Sequence, residues 1–217
     1  MSVLARSRSV PVINKLLLHR FAKPLVFCLW LLPFCWLLYS AISDQLGANP
    51  AEALIRATGD WTLRSLCLVL AVTPLRVLSG TPALARFRRM LGLFVYFYVA
   101  LHMLSYSGFD MGFVVADIVQ DILKRPFILV GFSAFGMLTL LALTSFNGAI
   151  KKMGAKRWQL LHKLVYVIAG MSLLHFFWMR AGKNNFAEVF VYAGILALLL
   201  GWRVFHLLDK KRAALKA

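Results

Sequence analysis

Five histidines, His19, His102, His162, His175 and His206, are the side chains in this 217-residue chain best suited to do chemistry. Two of them, His102 and His175, fall inside long apolar stretches. An imidazole there needs a partner for both ring nitrogens, so it is a functional candidate by default. Two readings are open. Each ring can be satisfied by hydrogen bonds alone, to a neighbouring helix carbonyl or to Ser105, Tyr106 or Ser172. Alternatively, two imidazoles facing each other across a helical bundle can supply both axial ligands of a b-type heme, which cycles one electron without changing its ligands. A zinc site fits less well. Zinc usually takes four ligands, and the sequence places no carboxylate or thiolate at that depth.

Depth is set by the elements that carry these residues. Six apolar blocks stand out, at 25–42, 63–78, 91–109, 127–146, 161–179 and 187–208. A helix needs about 20 residues at a 1.5 Å rise to cross a bilayer, and several blocks reach that length. The second is the weakest, bounded by Arg64 and by Thr73-Pro74-Leu75-Arg76. It reads as a span starting nearer Trp61, with a re-entrant segment as the alternative. The first block reads as a retained span rather than a signal peptide, because its basic lead-in is long and no small-residue cleavage site follows Pro33.

Basic residues assign the sides. Arg6, Arg8, Lys15, Arg20 and Lys23 precede the first block; Arg76, Arg86, Arg88 and Arg89 follow the second; Lys151, Lys152, Lys156 and Arg157 follow the fourth; Lys210, Lys211, Arg212 and Lys216 end the chain. The alternate loops carry fewer bases (Arg56, Lys124, Arg125, Arg180, Lys183) and most of the acids. The positive-inside rule then predicts an all-α integral membrane protein, a six-helix transmembrane bundle with both termini cytoplasmic. On that topology His102 and His175 lie in the outer halves of spans running in the same direction. His162 and His206 lie toward the cytoplasmic face. His162 and His175 are about 20 Å apart along a helix, yet their phase puts them on different sides of it, so a second site at His162 is allowed and not required.

Composition excludes other classes. Hydrophobic residues make up 61% of the chain and charged ones 15%, with a mean hydropathy of +0.75, too apolar for a soluble domain. The net charge of +17 is broken up between apolar blocks, which argues for membrane lipids and against nucleic acid as its partner. Cys28, Cys35 and Cys67 all lie in apolar runs and read as small buried hydrophobes. No G-x-G-x-x-G or P-loop is present, so oxidation of a nicotinamide nucleotide belongs to another polypeptide. Gly92, Gly131, Gly136, Gly170, Gly194 and Gly201 let a helix or a flat macrocycle come close. The basic rim from Arg76 to Arg157 suits lipid phosphates, heme propionates, a flavin phosphate or an acidic soluble partner.

Four stretches carry a family resemblance: TGDWTLRSLCLVLAVTPLR, RFRRMLGLFVYFYVALHMLSY, KRPFILVGFSAFGMLTLLALTS and KRWQLLHKLVYVIAGMSLLHFFW. Across most of residues 15–208 the chain resembles the MsrQ (YedZ) family, within the wider ferric-reductase-like transmembrane group. These are the heme-binding membrane subunits of the bacterial periplasmic methionine-sulfoxide reductase system. The resemblance implies a basic cytoplasmic segment at 1–24, a ferric-reductase-like heme-binding domain at 25–208 and a basic cytoplasmic tail at 209–217. It implies electron transfer across the bacterial inner membrane, from a cytoplasmic flavin reductase or quinol to a periplasmic molybdenum-cofactor catalytic subunit. The chain itself would then be a non-catalytic electron-transfer subunit supporting repair of oxidised proteins. Heme b would be the carrier, with FMN as a further cofactor, and the heme histidines fall on His102, His162 and His175. The wider group's second histidine on the third span would stand where this chain has Arg88. That leaves three arrangements: one heme, an inner ligand set of His162 with a partner such as His206, or an inner flavin site to which Arg88 contributes. A ferric or quinone reductase subunit and a small transporter without heme are the alternative functions. The transporter is disfavoured by acids that lie almost all in outer loops, apart from Asp209 at the inner rim, and by the lack of an evident repeat.

Overall fold

In the computed structural model, which describes residues 12–182 and 184–215, six helices are long and apolar enough to cross a membrane: Ala22–Ile42, Pro50–Leu78, Pro82–Asp110, Pro126–Leu143, Ala155–Ala181 and Ala187–Leu215. The chain is an all-α, multi-pass membrane protein. Arg6, Arg8, Lys183 and Lys216 lie outside the described residues.

In detail the helices are α1 (Val12–Leu18), α2 (Ala22–Ile42), α3 (Pro50–Leu78), α4 (Arg88–Ser105), α5 (Val115–Lys124), α6 (Pro126–Leu143), α7 (Asn147–Met153), α8 (Ala155–Leu161), α9 (Leu164–Ala181) and α10 (Ala187–Leu215). A 3₁₀ segment, Pro82–Phe87, leads into α4, and a single π turn, Tyr106–Asp110, ends that span. π turns of this kind concentrate at functional sites.

The second span is where the sequence reading fell furthest short. It is a full-length helix rather than a re-entrant segment, and α3 starts at Pro50, well before Leu63. Pro50 occupies the first helical turn and the Asn49 side chain accepts from the Glu52 N–H at 3.1 Å, a strong start signal. Charge at Arg56, Asp60 and Arg64 hid this stretch from a hydropathy reading. The structure accommodates it: Arg56 pairs with Glu52, and Arg64 donates to the Tyr192 hydroxyl at 3.2 Å while lying over the Trp61 ring. Glu52 and Asp60, expected in an outer loop, are therefore helical.

α3 and α4 are the most buried spans and α2 and α10 the least. The core joins Leu66, Leu70, Val95, Leu138, Ile168 and Leu196 from five spans. Polar groups stitch the helices together, each worth about 0.6–2 kcal/mol in this setting. The Trp30 indole donates to Ser65 Oγ at 3.0 Å, and the Tyr98 hydroxyl donates to the Trp30 carbonyl at 2.7 Å, tying α2, α3 and α4. Arg203 of α10 donates to the Leu70 carbonyl at 2.5 Å and to the Tyr166 hydroxyl at 2.9 Å. Of the cysteines only Cys67 is buried. Cys28 and Cys35 lie on the exposed face of α2, outside the core.

Candidate functional site

Two helix pairs, α3 with α4 and α6 with α9, bring His102 and His175 together. The ring centres are 6.2 Å apart and the planes nearly perpendicular, at 81°. Each ring is held from the neighbouring helix. Nδ1 of His102 lies 2.8 Å from the Ile55 carbonyl of α3, and Nδ1 of His175 lies 2.7 Å from the Phe127 carbonyl of α6. A carbonyl oxygen can only accept, so Nδ1 carries the proton in both rings. The lone pair of Nε2 is left for coordination.

Backbone space makes this approach possible. A Cβ on Gly59 would stand 3.2 Å from the His102 ring, and one on Gly131 would stand 2.7 Å from His175 Nδ1. In both pairs the glycine follows the accepting carbonyl by one helical turn, Ile55 then Gly59 and Phe127 then Gly131. The interval from Ile55 to Phe127 equals that from Gly59 to Gly131, and His102 to His175 is one residue longer. The site is thus built twice from one local pattern. Sequence reading picked out Gly131, but Gly59 and the two carbonyls escaped it, although Gly59 lies in the TGDWTLR stretch.

Both histidines line a cavity of about 490 Å³. Val99, Ala134, Phe135 and Leu138 form part of its apolar wall, and Glu52, Arg56, Asp60, Asp110 and Arg125 supply charge. The sequence reading placed no carboxylate beside the histidines. It missed these three because Glu52 and Asp60 lie within α3, and Asp110 in the π turn that ends the third span, rather than in loops. At the end of α4, the Tyr106 hydroxyl donates to Asp121 Oδ2 at 2.5 Å and Arg125 pairs with the same oxygen. Burial opposes ionisation of Asp121, but the hydrogen bonds from Arg125 and Tyr106 outweigh it and hold its carboxyl below the usual range. The bond to Asp121 likewise raises the Arg125 guanidinium's proton affinity.

These features fit a heme. A metal–imidazole bond of about 2 Å, with roughly 1 Å more from nitrogen to ring centre on each side, puts two axial rings about 6 Å apart. The two rings stand at that separation. Their fixed tautomers and the apolar wall agree with it.

The remaining candidates lie elsewhere. His162 caps α8, with Nδ1 3.0 Å from its own Trp158 carbonyl, Nε2 3.5 Å from Ser145 Oγ, and its ring stacked on Trp158 at 3.9 Å. His206 stacks on Trp202 at 4.9 Å. Among the described residues no ring contact or hydrogen bond joins His162 to His206. Arg88 does not line the cavity of the paired histidines; it stands within electrostatic reach of Arg203, Arg76 and His162.

A paired-histidine cavity inside a six-span bundle defines a class of membrane heme proteins, and residues 58–173 match the family model described as "Ferric reductase like transmembrane component". Closer relatives share nearly the whole length. The chain is 78% identical to the protein-methionine-sulfoxide reductase heme-binding subunit MsrQ of Polaromonas naphthalenivorans (strain CJ2), covering 92% of this chain and 91% of that one. It is 52% identical to MsrQ of Herminiimonas arsenicoxydans over 87% of both chains, and 50% identical to MsrQ of Bordetella parapertussis over 84% and 88%. The chain belongs to the MsrQ family. No solved structure matches it significantly.

Proposed function

We propose that this chain is the electron-transferring membrane subunit of a periplasmic methionine-sulfoxide reductase system, multi-pass in the bacterial inner membrane, with both termini cytoplasmic. It carries no sulfoxide-reducing centre. Electrons arrive from a cytoplasmic flavin reductase or from quinol and leave to a periplasmic molybdenum-cofactor subunit that reduces oxidised methionine in proteins. A carrier is needed because apolar helices give electrons no route across about 30 Å of hydrocarbon. The carrying observation is the His102–His175 pair, 6.2 Å apart, each ring anchored through Nδ1 to another helix's backbone.

In this reading His102 and His175 bind heme b through Nε2. Heme bound there supplies a reversible one-electron iron couple. Ile55 and Phe127 hold the rings in the coordinating tautomer, Gly59 and Gly131 admit them, and Val99, Phe135 and Leu138 keep water from the site. His162 and Arg88, with Arg203 and Arg76 nearby, form a cytoplasmic-side candidate for a second heme's propionate or the phosphate of FMN. His206, stacked on its own Trp202, is the weaker inner ligand. The basic segment 1–24 and tail 209–217 flank the heme-binding domain at 25–208 and meet cytoplasmic lipid headgroups.

The test is a reduced-minus-oxidised visible spectrum with a pyridine-hemochrome yield, recorded for the purified chain and for a His102→Ala, His175→Ala double variant. A b-type signal present in the first and lost in the second is expected. A colourless protein after expression with ample heme would overturn the reading.

A further inference from the structure

The charged end of the paired-histidine cavity is out of balance. Arg56 and Arg125 face the carboxylates of Glu52, Asp60 and Asp110 there. Arg56 is already tied to Glu52. Arg125 is different, because its partner Asp121 lies outside the cavity lining. Arg125 therefore lines the cavity while its guanidinium is tied to a carboxylate outside the lining.

That anchor leaves donors unused. A guanidinium has five N–H groups. Asp121 engages Nη2 of Arg125, while Nε is buried and has no protein partner. A buried unmet N–H on a cation is a sign of a missing acceptor. Two other arginines, Arg180 and Arg203, also have an unmet Nε, but neither lines this cavity. Arg125 also lies two residues before Phe127, whose carbonyl holds His175 and whose ring lies 5.5 Å from the guanidinium. The same turn of chain thus sets both an axial imidazole and a cation.

We propose that Arg125 binds a propionate carboxylate of the heme held between His102 and His175, with Asp121 and Tyr106 as positioning residues that hold the guanidinium toward the cavity. This rests on the heme reading above. Nε together with a terminal N–H forms the two-pronged donor that matches a carboxylate. Asp121 accepts from one N–H of Nη2 and is itself held by the Tyr106 hydroxyl, which leaves the second Nη2 N–H to act with Nε. Asp60 already has Arg64 and Arg180 within electrostatic reach, whereas Asp110 lies near Glu52 and depends on Arg125, so the charge of Arg125 is the one that offsets these acids beside an anionic side chain.

The experiment uses the full chain in detergent, prepared free of heme and titrated with hemin or with hemin dimethyl ester, which lacks the carboxylates. Each titration is read by the low-spin bis-imidazole spectrum. The wild type is expected to prefer hemin over the ester by about tenfold or more, the scale of a charge-assisted fork. The preference should collapse toward unity in Arg125→Gln and fall partway in Asp121→Asn and in Arg125→Lys, which keeps the charge without the fork. Because the ratio is taken within one variant, a general loss of stability cancels; should Arg125→Gln fail to fold, the Lys variant carries the test. An unchanged ratio beside a normal bis-imidazole spectrum would overturn the Arg125 assignment and leave the heme reading standing. A wild type that gives that spectrum with neither porphyrin would overturn both.

Discussion

The two ends of the bundle treat their histidines differently. At one end, His102 and His175 are each gripped by a carbonyl on another helix. At the other, His162 and His206 each stack on a tryptophan one turn earlier in their own chain, Trp158 and Trp202. A ring stacked on its own helix goes wherever that helix goes. A ring tied to a neighbour fixes the distance between helices as well as its own tautomer. The first arrangement suits a preorganised coordination site, and the second is ordered mainly along its own chain, with His162 also approaching Ser145 Oγ at 3.5 Å.

The largest effect expected from this contrast is on heme content. On the proposed ligation, His102→Ala or His175→Ala should lower heme per protein by at least about tenfold in a pyridine-hemochrome assay, since each would remove one of the two imidazoles. His162→Ala should leave the bis-imidazole spectrum of the paired site unchanged. Equal losses from all three variants would erase the distinction between the two ends.

Next come the glycines. Gly131→Ala places a methyl 2.7 Å from His175 Nδ1, whereas Gly59→Ala places one 3.2 Å from the His102 ring. The first should weaken heme retention more, with overpacking costs of about 1–3 kcal/mol, and Gly92→Ala, which meets nothing within 4 Å, should be near silent. Electron paramagnetic resonance of the ferric form would report a reoriented imidazole. The reverse ranking would mean that ring approach is not what these glycines serve.

A smaller effect concerns Arg203, which joins α10 to α3 and α9. Arg203→Met should lower thermal stability by about 1 kcal/mol without touching the paired-histidine spectrum. The least effect is one of pH. Asp121 titrates below its usual range in the folded chain, so its pairing contributes fully above the unfolded pKa, near 3.9, and is lost as pH falls through the lower folded value. Melting of the wild type should therefore hold steady from pH 7 to 5 as far as this pair is concerned. The acid loss below about pH 4 should shrink in Asp121→Asn.

The sequence made the spans and the histidine pair legible for different reasons. Apolar blocks report directly on the solvent each helix meets, so six spans could be read in order. His102 and His175 stood out because an imidazole in hydrocarbon demands an explanation. What stayed hidden depends on register between helices. The acceptors of Ile55 and Phe127 are main-chain atoms present at every position, and only packing selects them. Gly59 looked like any glycine until the His102 ring was set against it. The start of α3 was obscured because Arg56, Asp60 and Arg64 lower local hydropathy, although Asn49-Pro50 is a helix-start pattern that the sequence reading did not use. Arg125 was counted as a loop base, and its buried Nε is a property of the turn joining α5 to α6.

The doubled pattern of carbonyl, glycine and histidine also orders the birth of the protein. Ile55, Gly59 and His102 leave the ribosome on consecutive spans and can meet as a hairpin while the chain is still being made. Phe127 and Gly131 follow, and His175 comes last, on the fifth of the six spans. Half a socket therefore exists early, and a pigment delivered at that stage would find one ligand and an open side. On the heme reading proposed above, capture waits for the fifth span to join the bundle, so a newly made molecule can first become coloured only once that span is in place.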